Sequence, residues 1–185
     1  PGSLVVRFLR HKPFPLPYGF YKEQADRTQA GLRILQTFGG IRFPHRKAEY
    51  LARNYTVLSG GLWAKTEEIL DSLVGQDSPG LERQVAEFIR IHFTGLGPKQ
   101  SRNLLQGLGL TRYEIPVDSR ITKWLNDFGF PVHLSAVGLA DSHYFDFVSD
   151  GVQAMCLRSG VLPCVFDAAV FSSYDEGWTE DNVIW

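Results

Sequence analysis

At 185 residues with 44% hydrophobic and 21% charged side chains, the chain has the apolar content of a packed globular protein and too much for a disordered one. No apolar run reaches the ~18 residues that a membrane-spanning helix needs. Cys156 and Cys164 are too few for a four-thiolate iron–sulfur cluster or structural zinc site, and they fit a reducing, intracellular compartment. Charge is polarised along the chain: residues 1–60 hold ten Lys/Arg against three Asp/Glu, residues 61–123 eight of each, and residues 124–185 one Arg against nine acids. A polyanion-binding face and a solvated surface of alternating charge both agree with that composition.

Val5 to Pro17 contains Pro13, Pro15 and Pro17, which predicts an extended strap. Glu23 to Phe38 reads as a loosely amphipathic helix closed by Gly39-Gly40, and Pro44 opens another that runs to Asn54. Thr66 to Leu73 follows as a capped helix with acids in its first turn. After the break at Ser78-Pro79-Gly80, the residues Leu81, Val85, Phe88, Ile89 and His92-Phe93 recur at helical spacing and predict a helix from Leu81 to Phe93. Thr94-Gly95-Leu96-Gly97 interrupts it, and Pro98 opens a helix through Leu105 that Gly107 or Gly109 ends. Glu114-Ile115-Pro116-Val117 is expected to be extended, with Asp118 capping a helix over Ser119 to Asp127. Two more helices are expected near His143–Leu157 and Pro163–Ser173. Few stretches alternate, so the fold is expected to be all-α, with Trp63 and Trp124 in its core.

The sequence Thr94-Gly95-Leu96-Gly97-Pro98 between two helices is the strongest signal in the chain. Glycines two apart let the backbone turn within a few residues and expose N–H groups at the start of the next helix, where the helix dipole adds positive charge. Such a turn suits an anion, above all a phosphate, and a grip made of backbone atoms holds DNA without reading its bases. An ordinary tight helix–helix turn carries the same bare Gly-x-Gly. Lys99, in the first turn of the second helix, supplies an amine able to act as a nucleophile, and Asp118 follows nineteen residues later.

These residues resemble the helix-hairpin-helix DNA glycosylases, over a stretch from about Ile91 to Leu125. The segments that carry the likeness are Phe93-Thr94-Gly95-Leu96-Gly97-Pro98-Lys99 and Ile115-Pro116-Val117-Asp118-Ser119-Arg120. In the family the hairpin reads Leu-Pro-Gly-Val-Gly-x-Lys, so Thr94 replaces a proline. The resemblance implies two helical lobes with a cleft, a single glycosylase-like unit over residues 1–185, and a site segment at about 81–128. It also implies that Lys99 is the Schiff-base lysine of the bifunctional glycosylase/AP lyases and Asp118 their essential aspartate, with Gly95, Gly97 and Lys99 on a DNA phosphate. The iron–sulfur branch is disfavoured for want of four cysteines. No cofactor is expected, although a monovalent cation on the hairpin carbonyls is compatible with the resemblance.

Further along, Pro163-Cys164-Val165-Phe166-Asp167-Ala168-Ala169-Val170-Phe171-Ser172 resembles the late helix of the 8-oxoguanine DNA glycosylases. There an aromatic stacks on the extruded base and a polar residue one turn earlier reads its edge, positions matched by Phe171 and Asp167. The family commonly has Gln at the reader position, and a carboxylate also accepts from a guanine-like edge. A core Phe171 with a surface Asp167 has the same spacing. Of phosphate contact and solvent, Gln100 and Arg102 are expected to face solvent, and His92 is expected to be structural. Arg42, His45, Arg46 and Lys47 form a basic cluster suited either to a DNA strand or to solvent, and the terminal Trp185 is a candidate lid for the base pocket.

The implied partner is damaged double-stranded DNA, bound by a monomer inside the cell and away from any membrane. Three readings stay open: a bifunctional 8-oxoguanine glycosylase/lyase, a related glycosylase for another lesion, and a DNA-binding module without chemistry.

Overall fold

The computed structural model describes residues 2–174, which contain helices and no strand. Helix starts and stops fall at prolines, capping side chains and glycines. After α1 (Gly2–Leu9) and a 3-10 turn over Tyr18–Glu23 comes α2 (Arg27–Phe38), where Asp26 Oδ1 accepts the Gln29 N–H at 2.9 Å. Gly39, at φ 64°, ends α2. Pro44 opens α3 (Pro44–Val57), and a π-helical turn over Leu58–Leu62 leads into α4 (Trp63–Asp71). Ser78 caps α5 (Pro79–His92), and five residues separate it from α6 (Pro98–Gly107). Asp118 caps α7 (Ser119–Phe128), Asp141 caps α8 (Ser142–Ser159), and Pro163 opens α9 (Pro163–Ser173).

The strap expected over Val5–Pro17 is helical up to Leu9. Its prolines begin at Pro13, beyond the helix end, so their fixed φ and missing N–H never reach α1. The helix expected from Glu23 begins at Arg27, and Glu23 itself closes the tighter 3-10 turn. No single helix among the described residues is long and apolar enough to cross a membrane.

The described residues form two compact units, one closing at Lys65 and the other opening at Thr66. In the first, α2 packs on α3 around Phe8, Leu16, Tyr21, Leu32, Leu35, Ala48 and Tyr55. Trp63 is not in that core: it is 46% exposed and leans on the Tyr18 ring at 5.1 Å. In the second unit, Leu73, Val85, Ala86 and Leu105 pack α5 on α6, with Ile69 and Leu70 of α4 against them. A larger cluster, including Ile115, Val117, Ile121, Leu125, Phe145, Val148, Val152 and Val170, joins α7, α8 and α9, with Trp124 packed against it. Each fully buried aliphatic side chain contributes roughly 1.5–3 kcal/mol.

The extended segment Glu114–Val117 threads this core, with every one of its residues buried. Its entry is fixed by Glu82, which is 3% exposed on α5. Oε1 accepts the Arg112 N–H at 2.9 Å, and Oε2 accepts the N–H groups of Tyr113 and Glu114 at 2.8 and 2.9 Å. Three backbone donors that no helix could satisfy therefore end on one carboxylate.

Candidate functional site

Phe93, buried, ends α5 in an extended conformation, and Gly95 turns the chain at φ 85°, where an L side chain would be strained. Gly97 caps α6, and a Cβ built on it meets nothing within 4 Å, so the space over its backbone is open. The α6 hydrogen-bond ladder begins with Ser101 N–H to Gly97 O at 3.0 Å. The N–H groups of Lys99 and Gln100 in the first turn lie ahead of that ladder, where an intrahelical acceptor is lacking. Beside the turn lies an open, mostly polar recess of about 410 Å³, lined by residues that include Arg90, His92, Thr94, Gly95 and Gly97. The arrangement can receive an anion at a helix N-terminus.

Lys99 and Asp118 both line a neighbouring cleft of about 440 Å³, together with Gly97, Pro98, Val117 and Leu139. Each is half-buried. Asp118 Oδ1 is taken up by the N–H groups of Arg120 and Ile121 at 2.8 and 3.1 Å. Among the described residues, Oδ2 has no hydrogen-bond partner and the Lys99 amine has neither a hydrogen bond nor an ion pair. One carboxylate thus caps α7 through Oδ1, and it lines the same cleft as the Lys99 side chain.

Asp167 and Phe171 lie one turn apart on α9 and do not line that cleft. Asp167 is nonetheless within electrostatic range of both cleft residues. Burial pushes its carboxyl above the ordinary range, the hydrogen bond from Gln106 opposes this, the Asp118 charge adds to it and the Lys99 charge opposes it. Gln106 Nε2 donates to Asp167 Oδ2 at 2.6 Å. Phe171 is 40% exposed, with the Arg120 guanidinium 4.0 Å over its ring. Gln106, two turns after Lys99 on α6, and Arg120, two residues after Asp118, belong to this neighbourhood. Sequence reading missed Gln106 and gave Arg120 no role. The spacing of Gln106 from Lys99 on one helix is the signal that points to it.

Arg102 corrects the expectation of a solvent-facing side chain: it is wholly buried, the largest side chain to be so among the described residues. Its Nε donates to Glu114 Oε2 at 2.9 Å, and its Nη atoms reach Glu87 at 3.0 Å and Asp146 at 3.2 Å. Three carboxylates and the Phe145 ring replace the water it gives up. Gln100 is exposed, as expected. His92 is exposed, stacks on Phe88 and hydrogen-bonds the Phe88 carbonyl at 2.9 Å, which gives it a local structural role.

In the first unit, Arg42, His45, Arg46 and Lys47 are all exposed. Between them Phe43, 61% exposed, holds a left-handed φ of 55°, with the guanidinium groups of Arg42 and Arg46 at 5.3 and 5.8 Å from its ring centre. The cluster is thus a solvent-facing basic patch with an aromatic at its centre. Trp185 lies outside the described residues.

No protein-family model matches the chain, and no solved structure matches it. Over 105 residues it is 29% identical to a curated protein of Sulfolobus acidocaldarius described as 8-oxoguanine DNA glycosylase/AP lyase, an alignment covering 57% of this chain. The chain spans about half of that relative, 47% of its length, and the similarity supports a distant relationship to a DNA glycosylase.

Proposed function

We propose that the chain is a DNA glycosylase with AP lyase activity that removes an oxidised purine, 8-oxoguanine, from double-stranded DNA. The observation that carries this reading is the opening of the Lys99 amine and the Asp118 carboxylate onto one cleft, beside a glycine turn whose backbone suits a phosphate. The glycosylase/AP lyase similarity over 57% of the chain supports it.

On this reading Gly95, Gly97 and the Lys99 N–H hold a phosphate next to the lesion and fix register, while the damaged base is turned out of the stack. Asp118 takes a proton from Lys99 and stabilises positive charge on the sugar as the N-glycosidic bond breaks. The Lys99 nitrogen bonds to C1′, and the base leaves with the electron pair of the broken bond and is protonated. Opening of the sugar ring gives a Schiff base. Removal of a 2′ proton then expels the 3′ phosphate, and water releases the enzyme from the imine.

Asp167, held by Gln106, reads the edge of the base, and Phe171 stacks on its face once Arg120 moves off the ring. An amine and a carboxylate carry the chemistry, so no bound cofactor is required; a monovalent cation on the hairpin carbonyls would strengthen the grip on phosphate. The protein acts as a monomer, wherever in the cell the DNA lies.

Borohydride reduction in the presence of 8-oxoguanine duplex tests the reading. The protein should become covalently linked to DNA, and Lys99→Gln should abolish the link; an adduct that survives in Lys99→Gln removes Lys99 from its role. Asp118→Asn should keep the cap on α7 and DNA binding while losing base release, because an amide oxygen still accepts N–H groups but takes no proton. Duplexes carrying thymine glycol or 3-methyladenine identify the lesion: release of one of these in place of 8-oxoguanine assigns the pocket to a different base.

A further inference from the structure

We propose that the buried Arg102–Glu114 ion pair is the positioning element that sets the Lys99 amine against the Asp118 carboxylate, an inference that rests on the glycosylase/lyase reading above. By way of the chain, Asp118 lies nineteen positions after Lys99, and the path runs through Gly107 and Gly109. The ion pair makes a far shorter connection. Arg102 stands three residues after Lys99 on α6, and Glu114 stands four residues before Asp118 on the extended segment that delivers it. Their direct contact, Nε to Oε2 at 2.9 Å, joins the two elements where both side chains are fully buried.

Neither partner can rotate without leaving a buried charge unpaired. Arg102 Nη1 is shared between Glu87 Oε1 at 3.0 Å and the Pro98 carbonyl at 3.4 Å, and Nη2 meets Asp146 Oδ1 at 3.2 Å. The Pro98 contact touches the residue directly ahead of Lys99. Glu114 Oε1 accepts from Arg83 Nε and Gln153 Nε2, each at 2.9 Å, and the Glu114 N–H is held by Glu82. Arg83 and Glu82 come from α5, Arg102 from α6, and Asp146 and Gln153 from α8, so three helices clamp one extended segment.

A buried ion pair adds little stability over an apolar replacement of equal volume. What an apolar contact lacks is direction: aliphatic surfaces slide, whereas a forked guanidinium on carboxylates fixes register and angle. Reacting groups need placement to within about 0.5 Å, and a misplacement of ~1 Å can cost about a hundredfold in rate.

The full-length chain tests this with Arg102→Met, Glu114→Gln and Arg102→Lys, alongside Val148→Ala as a core variant of lowered stability. Single-turnover base release is measured at saturating protein, normalised to the folded fraction, together with DNA affinity. In parallel, spin labels at Gln100→Cys and Ser119→Cys, in a background of Cys156→Ala and Cys164→Ala, report the separation of the two elements by pulsed electron resonance. Arg102→Met and Glu114→Gln should slow release by about 10–100-fold while DNA affinity stays within about threefold, and the label distances should broaden. Arg102→Lys, which keeps the charge, should recover part of the rate, and Val148→Ala should leave both the rate and the label distances unchanged.

A rate in the folded fraction equal to the parent's, or label distances as narrow as the parent's, overturns the proposal. So does a Val148→Ala protein that behaves like the ion-pair variants. If Arg102→Met does not fold, Arg102→Lys and Glu114→Gln decide by the same readouts. If the parent releases no base and forms no borohydride adduct, the glycosylase reading falls, and the label distances alone decide whether the pair holds the two elements together.

Discussion

Glu82→Gln is the most direct test of how the extended segment reaches the site. The carboxylate takes one backbone N–H on Oε1 and two on Oε2, all between 2.8 and 2.9 Å. An amide has one oxygen, so its NH2 group must face at least one of these donors. With the NH2 in place of Oε1, the Arg112 bond is broken and the other two fall from charge-assisted to neutral strength. Breaking a bond to a charged group costs about 1.5–3 kcal/mol, and weakening the other two adds roughly 1 kcal/mol, for a total of about 2.5–4 kcal/mol. For a unit of this size, the melting temperature should fall by on the order of 10 °C. Urea unfolding followed by circular dichroism measures the free energy, and amide exchange at Arg112, Tyr113 and Glu114 locates it. A Glu82→Gln protein within about 1 kcal/mol of the parent, with those amides still protected, would refute the account of this segment.

Asp167→Asn should raise the melting temperature at neutral pH. Burial lifts the Asp167 carboxyl above its ordinary range, so the folded state holds its proton more tightly than the unfolded chain does. The stability it contributes is fully present below the ordinary carboxylate range and is lost as pH rises through the folded value. The gain in Asp167→Asn should therefore shrink on acidification, and a gain that grows toward low pH would refute the sign. For the basic patch, the triple variant Arg42→Gln, Arg46→Gln and Lys47→Gln should flatten the dependence of log affinity on log salt by up to about 2.7, which is 0.9 for each phosphate no longer neutralised. An unchanged slope would assign these residues to the solvated surface.

The helices that frame the site were legible because local chemistry specifies them. Pro79 and Ser78 start α5, Gly95 and Gly97 bound the turn, Pro98 starts α6, and Asp118 caps α7 with its own side chain. Each is an interaction between residues a few positions apart, so adjacency in sequence carries the information. Lys99 and Asp118 stand at two such starts, and both line one cleft. Arg102 was misjudged because its surroundings are distant in the chain: Glu87, Glu114 and Asp146 lie 15, 12 and 44 positions away. Trp63 was misjudged in the opposite sense, since bulk and apolarity suggest burial, yet which face of a helix is covered depends on what packs there.

The amino-acid order by itself determined, to within about two residues, where α5, α6 and α7 begin and end, and so put Lys99 and Asp118 at two helix starts. Only the tertiary structure decided which charges leave water. Burying Arg102 is tolerable solely because three carboxylates converge on it from other elements. Nothing local to Arg102 encodes that convergence.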